Sequence, residues 1–142
     1  VYNEDLFKKA GINTSPTNWD ELIEDANRIQ VPGKEGEIIT AGIAIGTASN
    51  IEHFSDIFGL LLFLNGGDIM KLDEPEAVGA LEAYRRFAEA PNNTWSEALP
   101  NAVSAFIQQK VAMIIVPSWE ILTIKGTDPD LKLKVVPIPK PP

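Results

Sequence analysis

The chain has no cysteine and only one histidine, His53, among its 142 residues. The lack of cysteine excludes a disulfide scaffold, a thiolate metal site and a cysteine nucleophile. A histidine-based zinc site or a Ser-His-Asp triad would depend on His53 alone, so we predict no metal and no cofactor. The longest apolar run, residues 57–64, is far shorter than the roughly 20 residues that span a bilayer. No signal-peptide pattern is seen, and we expect both ends to be cut rather than natural.

Basic residues are also scarce. The 12 lysines and arginines face 20 acidic residues, which gives a formal net charge of −8. A surface of this sign disfavours nucleic acid and anionic membranes as partners, because both attract basic patches. With 44% hydrophobic and 23% charged residues, the composition is typical of a globular protein, and the length suits one domain over residues 1–142.

Hydrophobic periodicity predicts helices that alternate with strands. The spacing of apolar residues favours helices at residues 3–10, 19–29, 53–64, 76–90 and 101–109, with a short helix near 122–125. Apolar or β-branched runs predict strands at residues 38–45, 111–116 and 131–138. This order predicts an α/β fold in which helices pack on a partly parallel sheet.

Two loops that follow predicted strands, residues 46–54 and 117–120, are candidates for a binding site. Ligands of open α/β sheets bind beyond the carboxyl ends of the strands. The loops combine aromatic rings, hydroxyls, an amide, carboxylates and an imidazole. A neutral sugar suits this mixture, because its C–H face stacks on aromatic rings and its hydroxyls pair with amides and carboxylates. The predicted ligand-binding residues are Ser49, Asn50, Glu52, His53, Phe54, Ser118 and Trp119.

Each of these residues also has a purely structural interpretation. A tryptophan just after a strand, such as Trp119, often fills the core or an edge, and its position alone leaves both roles open. His53 fits the start of a helix, where Glu52 and Asp56 would complement the helix dipole. Trp19 lies in the first turn of an amphipathic helix, where packing against the core is the favoured role.

A glycosidase would need two matched carboxylates on either side of a sugar. The acids near the candidate loops, such as Glu52, Asp68 and Glu120, are scattered along the chain. Their spacing does not indicate a matched acid and nucleophile. We therefore predict no enzymatic activity and keep a fragment of a carbohydrate-active enzyme as the alternative.

Six motifs in order resemble those of the extracellular solute-binding proteins of family 1, the group that includes maltose-binding protein. They cover nearly the whole chain: residues 2–11 (YNEDLFKKAG), 18–22 (NWDEL), 42–46 (GIAIG), 64–68 (LNGGD), 105–119 (AFIQQKVAMIIVPSW) and 135–139 (VVPIP). Each motif alone is common, whereas six in the family's order are specific. Gln109 and Pro117 depart from the pattern, which has glycine near both positions.

The resemblance implies the fold and function of a bacterial ABC sugar-binding protein. The chain would form a partial second lobe of a type II periplasmic-binding-protein fold, which closes on a mono- or oligosaccharide and delivers it to the permease subunits. It would be a monomer on the periplasmic or extracellular face of the membrane, attached only through a lipid anchor, which this fragment lacks, or through the permease. By position, residues 48–54 and Trp119 would contact the sugar. A truncated remnant without binding activity is the remaining alternative.

Overall fold

The computed structural model describes residues 1–140, which contain six helices and five short strands. The helices are α1 (Glu4–Lys9), α2 (Trp19–Ile29), α3 (Phe54–Leu64), α4 (Pro75–Arg86), α5 (Ala102–Ile107) and α6 (Glu120–Thr127). The strands are β1 (Tyr2–Asn3), β2 (Val31–Pro32), β3 (Ile38–Ile43), β4 (Val111–Met113) and β5 (Leu133–Lys134). All the predicted helices and strands are present, and β1 and β2 are two short strands that hydrophobic periodicity did not predict.

The strands form one sheet in the order β2-β3-β4-β1-β5. Strands β3 and β4 are parallel, with Ala41 opposite Val111 and Ile43 opposite Met113. The other neighbouring pairs, β2–β3, β4–β1 and β1–β5, are antiparallel. The expectation of an α/β fold with a partly parallel sheet is therefore confirmed.

Each of the three predicted strands is longer than the strand that forms in the structure. Ile45 and Ile114 lie outside β3 and β4 yet are almost fully buried, so the apolar pattern recorded burial rather than strand pairing. Of the strand predicted at residues 131–138, only β5 forms, at the edge of the sheet. Its partner β1 is only two residues long because α1 begins at Glu4. Periodicity reports which residues face the core, whereas strand length also depends on the partner.

Two asparagines begin the first two helices. The Asn18 side chain accepts a hydrogen bond of 2.9 Å from the Glu21 amide, and the Glu21 carboxylate accepts one of 2.7 Å from the Thr17 amide. The first bond makes Asn18 the N-cap of α2, and the bond from the Thr17 amide lowers the pKa of the Glu21 carboxyl. Asn3, predicted as part of a helix, belongs to β1 and caps α1 by accepting from the Leu6 amide at 3.0 Å.

Helices α2 and α5 pack beside the central parallel strands, and α3 packs against α4. Gly42 in β3 lies so close to α2 that an added Cβ would sit 2.2 Å from the Ala26 carbonyl oxygen. Only glycine permits this approach of strand and helix. The core between the layers is aliphatic and aromatic, and its largest fully buried members include Trp95, Phe106, Ile43, Ile45, Ile57, Ile114 and Ile124.

The turn between α5 and β4 contains the one non-glycine residue with positive φ among residues 1–140. Gln109 has φ of 57°, a left-handed conformation that favours glycine. This is one of the two positions at which the sequence departs from the glycine of the family pattern. The Gln109 side-chain oxygen lies 3.4 Å from the Asn3 side-chain nitrogen, which gives the strained turn a contact with β1.

Within residues 1–140, every helix is too short or too polar to cross a bilayer.

Candidate ligand-binding site

The loops after β3 and β4 leave the sheet at the same edge. Because β3 and β4 are parallel neighbours with Ile43 opposite Met113, their carboxyl ends lie side by side. The first loop runs through residues 44–53 to α3, and the second through residues 114–119 to α6. A hydrogen bond of 2.9 Å between His53 Nε2 and Glu120 Oε2 joins the ends of the two loops. The predicted site residues from the two loops therefore share one edge of the sheet.

A buried polar network holds the first loop. Asn50 is 6% exposed, and its side-chain nitrogen donates to the carbonyl oxygens of Ser96 and Leu99 at 3.0 and 3.1 Å. Its side-chain oxygen accepts from the Thr47 hydroxyl and from Trp95 Nε1, the latter at 3.1 Å. Both amide hydrogens and both acceptor positions are thus occupied by protein groups. This arrangement gives Asn50 a structural role, and its side chain is not among the groups that we propose to bind sugar.

Two residues outside the predicted loops complete this network. Trp95 is fully buried, and its Nε1 also lies 3.0 Å from the Thr47 hydroxyl. The Tyr84 hydroxyl, on α4, donates to the Thr47 carbonyl oxygen at 2.6 Å, and burial raises the pKa of Tyr84 to about 12. The sequence analysis assigned neither Tyr84 nor Trp95 to the site. Neither lies near the loop in the chain, so no local pattern pointed to this role.

Glu52 and Ser49 both bind protein groups at the surface. The exposed Glu52 carboxylate lies 3.3 and 3.4 Å from the Val103 amide, near the start of α5. A carboxylate is favourable there because it satisfies an unpaired N–H group and complements the helix dipole. This contact agrees with the helix-terminus interpretation of Glu52, although the helix is α5 rather than α3. Ser49 is exposed and donates to Glu97 at 2.8 Å, so its hydroxyl remains accessible to solvent.

The second loop presents an exposed indole. Trp119 is 59% exposed, and Ser118 beside it is also exposed. Phe54, the first residue of α3, is 40% exposed. Exposed aromatic side chains at the carboxyl edge of a sheet are suited to stack on an apolar ligand face.

His53 ends the first loop and contacts residues at the end of the second. Besides its bond to Glu120, its Nδ1 lies 3.4 Å from the Asp56 carboxylate. The imidazole and the Trp119 ring meet edge to face, with 5.4 Å between their centroids. Glu120 is 7% exposed, so His53 supplies a polar partner that a buried carboxylate requires.

The site offers hydrogen-bonding groups and aromatic rings rather than a metal centre. Within residues 1–140, no group of three or more histidine, aspartate or glutamate side chains has a geometry that would hold a metal ion. The hydroxyls of Ser49 and Ser118 and the nearby carboxylates provide donors and acceptors for a neutral polar ligand.

A groove of about 620 Å³ lies elsewhere on the chain, between α2, α4, the end of α3 and residues 87–94. Trp19, Ile23 and Leu61 supply part of its apolar wall, and Asp20 and Arg86 lie among its polar residues. None of the seven predicted site residues lines it. The site is therefore defined by the meeting of the two loops and not by this cavity.

Comparisons with known proteins agree with the resemblance. The family described as bacterial extracellular solute-binding protein matches residues 1–142. A Brucella abortus (strain 2308) protein named as a binding protein is 34% identical over 146 residues, which cover 99% of this chain and 35% of that protein. The diacetylchitobiose binding protein DasA of Streptomyces coelicolor is 29% identical over 144 residues, covering 93% of this chain and 31% of its own length.

A solved structure has the same fold over most of the chain. It is an ABC transporter solute-binding protein from Thermotoga lettingae TMO bound with alpha-D-tagatose, with a TM-score of 0.71 and 28% identity. The match covers 91% of this chain and 35% of the Thermotoga chain. The chain spans about a third of the length of the relatives it matches.

Proposed function

Because this chain belongs to the bacterial extracellular solute-binding protein family, we propose that it is part of the substrate-binding component of an ABC importer. It forms a partial second lobe of a two-lobed protein over residues 1–142. The intact protein captures a mono- or oligosaccharide in the cleft between its lobes and delivers it to the permease. It binds the sugar without chemical conversion.

The observation that carries this proposal is the exposed Trp119 at the edge where the two loops meet. An indole that is 59% exposed is available to a ligand, and its flat face matches the C–H face of a sugar ring. The exposed Phe54 adds a second aromatic ring at the start of α3. Hydroxyls of Ser118 and Ser49 supply groups that pair with sugar hydroxyls.

The relatives support a saccharide as the ligand. One curated relative is named for diacetylchitobiose, and the Thermotoga structure contains alpha-D-tagatose. One of these ligands is a disaccharide and the other a monosaccharide, so the proposal covers both mono- and oligosaccharides. The acidic composition of the chain, with a formal net charge of −8, favours neutral saccharides over phosphorylated ones.

A catalytic role has less support. Glu52 lies against the Val103 amide of α5, whereas the Glu120 carboxylate binds His53. The two acids therefore serve different structural partners, and a glycosidase needs two carboxyl groups on either side of one glycosidic bond.

One lobe supplies half of a closing cleft, so affinity depends on the other lobe as well. Closure removes water from the bonds on both faces of the ligand and strengthens them. We expect residues 1–142 alone to bind sugar weakly or not at all. The intact protein works as a monomer on the periplasmic or extracellular face of the membrane, held there by a lipid anchor or by the permease.

The test is calorimetric titration of the intact binding protein with mono- to tetrasaccharides that include N,N′-diacetylchitobiose and tagatose. We expect one saccharide to bind, and Trp119→Ala to weaken it by about tenfold or more, which corresponds to about 1.4 kcal/mol or more of lost stacking. Phe63→Ala is the matched control, because Phe63 is 78% exposed on α3 but lies outside the two loops.

Three outcomes would contradict the proposal. Binding to none of the saccharides would remove the sugar as ligand. Equal affinities of the Trp119→Ala variant and the wild type would remove Trp119 from the site. Turnover of a chromogenic glycoside that is lost with Glu120→Gln would favour the enzyme alternative.

A further inference from the structure

His53 contacts three groups, one from α3, one from α6 and one from the second loop. Its Nε2 lies 2.9 Å from Glu120 on α6, and its Nδ1 lies 3.4 Å from Asp56 on α3. The edge-to-face contact with Trp119 has an interplanar angle of 78°. The side chain of His53 is only 13% exposed, so it is less available to a ligand than the indole beside it.

The two carboxylates make different demands on His53. Glu120 has a side chain only 9% exposed, whereas that of Asp56 is 69% exposed. A neutral imidazole donates from one ring nitrogen only, so it satisfies one carboxylate and presents a lone pair to the other. The buried Glu120 carboxylate has the greater need of that donor, so His53 connects the end of the first loop to the start of α6.

Trp119 lies beside this contact in the chain. It immediately precedes Glu120, the first residue of α6, and its side chain makes no capping hydrogen bond. Most of the indole faces solvent, and the imidazole packs against it. The orientation of the indole consequently depends on where His53 and Glu120 hold the start of α6.

We propose that His53 is a positioning residue, which acts on the ligand through Trp119 and not by direct contact. By binding Glu120 and packing against the indole, it holds Trp119 in the orientation that receives the ligand. The charged groups that contact the imidazole are Asp56 from α3 and Glu120 from α6, while Glu52 lies against α5. The ligand part of this inference rests on the proposed function.

The first test needs no ligand. Of the three tryptophans, Trp19 and Trp95 are buried, so quenching by iodide reports mainly on Trp119. We expect iodide to quench His53→Ala more strongly than the wild type at neutral pH, because the substitution removes the ring that packs against the indole. His53→Gln, which keeps a side-chain donor for Glu120, should lie between the two.

Equal quenching of the wild type and His53→Ala by iodide would show that His53 does not control the surroundings of Trp119, and the inference would be wrong.

The second test uses the intact protein and its saccharide. We expect His53→Ala to weaken binding roughly fivefold, as is usual for coupled neighbouring residues, and to have no further effect in a Trp119→Ala background. A similar loss in both backgrounds would show that His53 contacts the ligand itself and would overturn the positioning role. His53→Gln should restore most of the affinity, because it keeps a side-chain donor for Glu120.

The two tests separate this inference from the proposed function. If the intact protein binds no saccharide, the proposed function fails, yet iodide quenching still decides whether His53 controls Trp119. If His53→Ala does not fold, the same comparisons are made with His53→Gln, which also removes the imidazole ring from the indole.

Discussion

The loops after β3 and β4 share one edge of the sheet but are held in different ways. In the first loop, Thr47 and Asn50 are buried and bonded to Tyr84 and Trp95. In the second loop, Trp119 is largely exposed and rests against His53. Two buried polar residues therefore anchor the first loop in the core, whereas the end of the second loop presents Ser118 and Trp119 to solvent.

This difference predicts where the effect of a substitution appears. A buried polar group left without a partner destabilises the fold, because it has lost water and gained nothing in return. An exposed side chain has little effect on stability when it is replaced. Changes at the buried Thr47 and Asn50 should thus lower the free energy of unfolding, and changes at the exposed Trp119 should lower ligand affinity. The following predictions test this division, from the largest expected effect to the smallest.

Asn50→Ala should have the largest effect on stability. It leaves the Ser96 and Leu99 carbonyls without their donor and removes one acceptor from Trp95. We expect the free energy of unfolding to fall by about 3 kcal/mol, measured by urea denaturation of the chain. Ser49→Ala is the matched control, because Ser49 is next to Asn50 and its hydroxyl makes only an exposed bond to Glu97. We expect this variant to change the free energy of unfolding by less than about 0.5 kcal/mol. Equal effects of the two variants would contradict a structural role for Asn50.

Trp95→Phe should have a smaller effect. Phenylalanine keeps most of the buried ring but removes Nε1, which lies near the Thr47 hydroxyl and the Asn50 side-chain oxygen. We expect a loss of about 2 kcal/mol in the free energy of unfolding, from the lost donor and the smaller ring. Trp19→Phe serves as the comparison, because Trp19 is buried but lies in α2 outside this network. Equal losses in the free energy of unfolding for Trp95→Phe and Trp19→Phe would show that the Nε1 bonds of Trp95 do not stabilise the fold.

Tyr84→Phe should cost about 1 kcal/mol at neutral pH through loss of the bond to the Thr47 carbonyl. It should also change the alkaline unfolding of the chain. The folded-state pKa of Tyr84 is raised from 10.0 to about 12 by burial, so between these values the unfolded state loses the proton while the folded state retains it. The wild type should therefore lose stability as the pH rises through that window. Tyr84→Phe should lose less, which unfolding at constant temperature across pH would measure.

Replacements in the second loop should have the smallest effect on stability. Ser118→Ala and Trp119→Ala remove exposed side chains, and each should change the free energy of unfolding by less than about 0.5 kcal/mol. Thermal unfolding of the chain at neutral pH checks this. A large loss for Trp119→Ala would mean that the indole supports the fold through α6, and the division between the two loops would fail.

Much of the fold could be predicted because its signals are local. The cap at Asn18 and the apolar face of α2 lie within one helix, and that helix was predicted with its observed bounds. The resemblance of six ordered motifs is confirmed by the family match over residues 1–142, and the neighbouring structures support a partial lobe. Strand lengths were overestimated because buried residues such as Ile45 and Ile114 continue the apolar pattern after pairing ends.

The candidate site was only partly predictable. Position after a strand pointed to His53 and Trp119, and the meeting of their loops follows from the parallel pairing of β3 with β4. Position alone did not separate Asn50, which is buried and fully bonded, from Ser49, which is exposed. Adjacent residues in a loop point in different directions, and neither composition nor periodicity records which of them faces the core.

The sequence by itself determined the α/β class, the partial lobe, the helices and the two loops from which the site is built. These depend on short-range patterns of apolar residues, caps and turns, each read within a few residues. Only the tertiary structure decided that Tyr84 and Trp95 support the first loop and that His53 pairs with Glu120. The partners in these bonds are 37, 48 and 67 residues apart in the chain. Contacts at such separations are decided by how the strands pair and the helices pack, which no local pattern encodes.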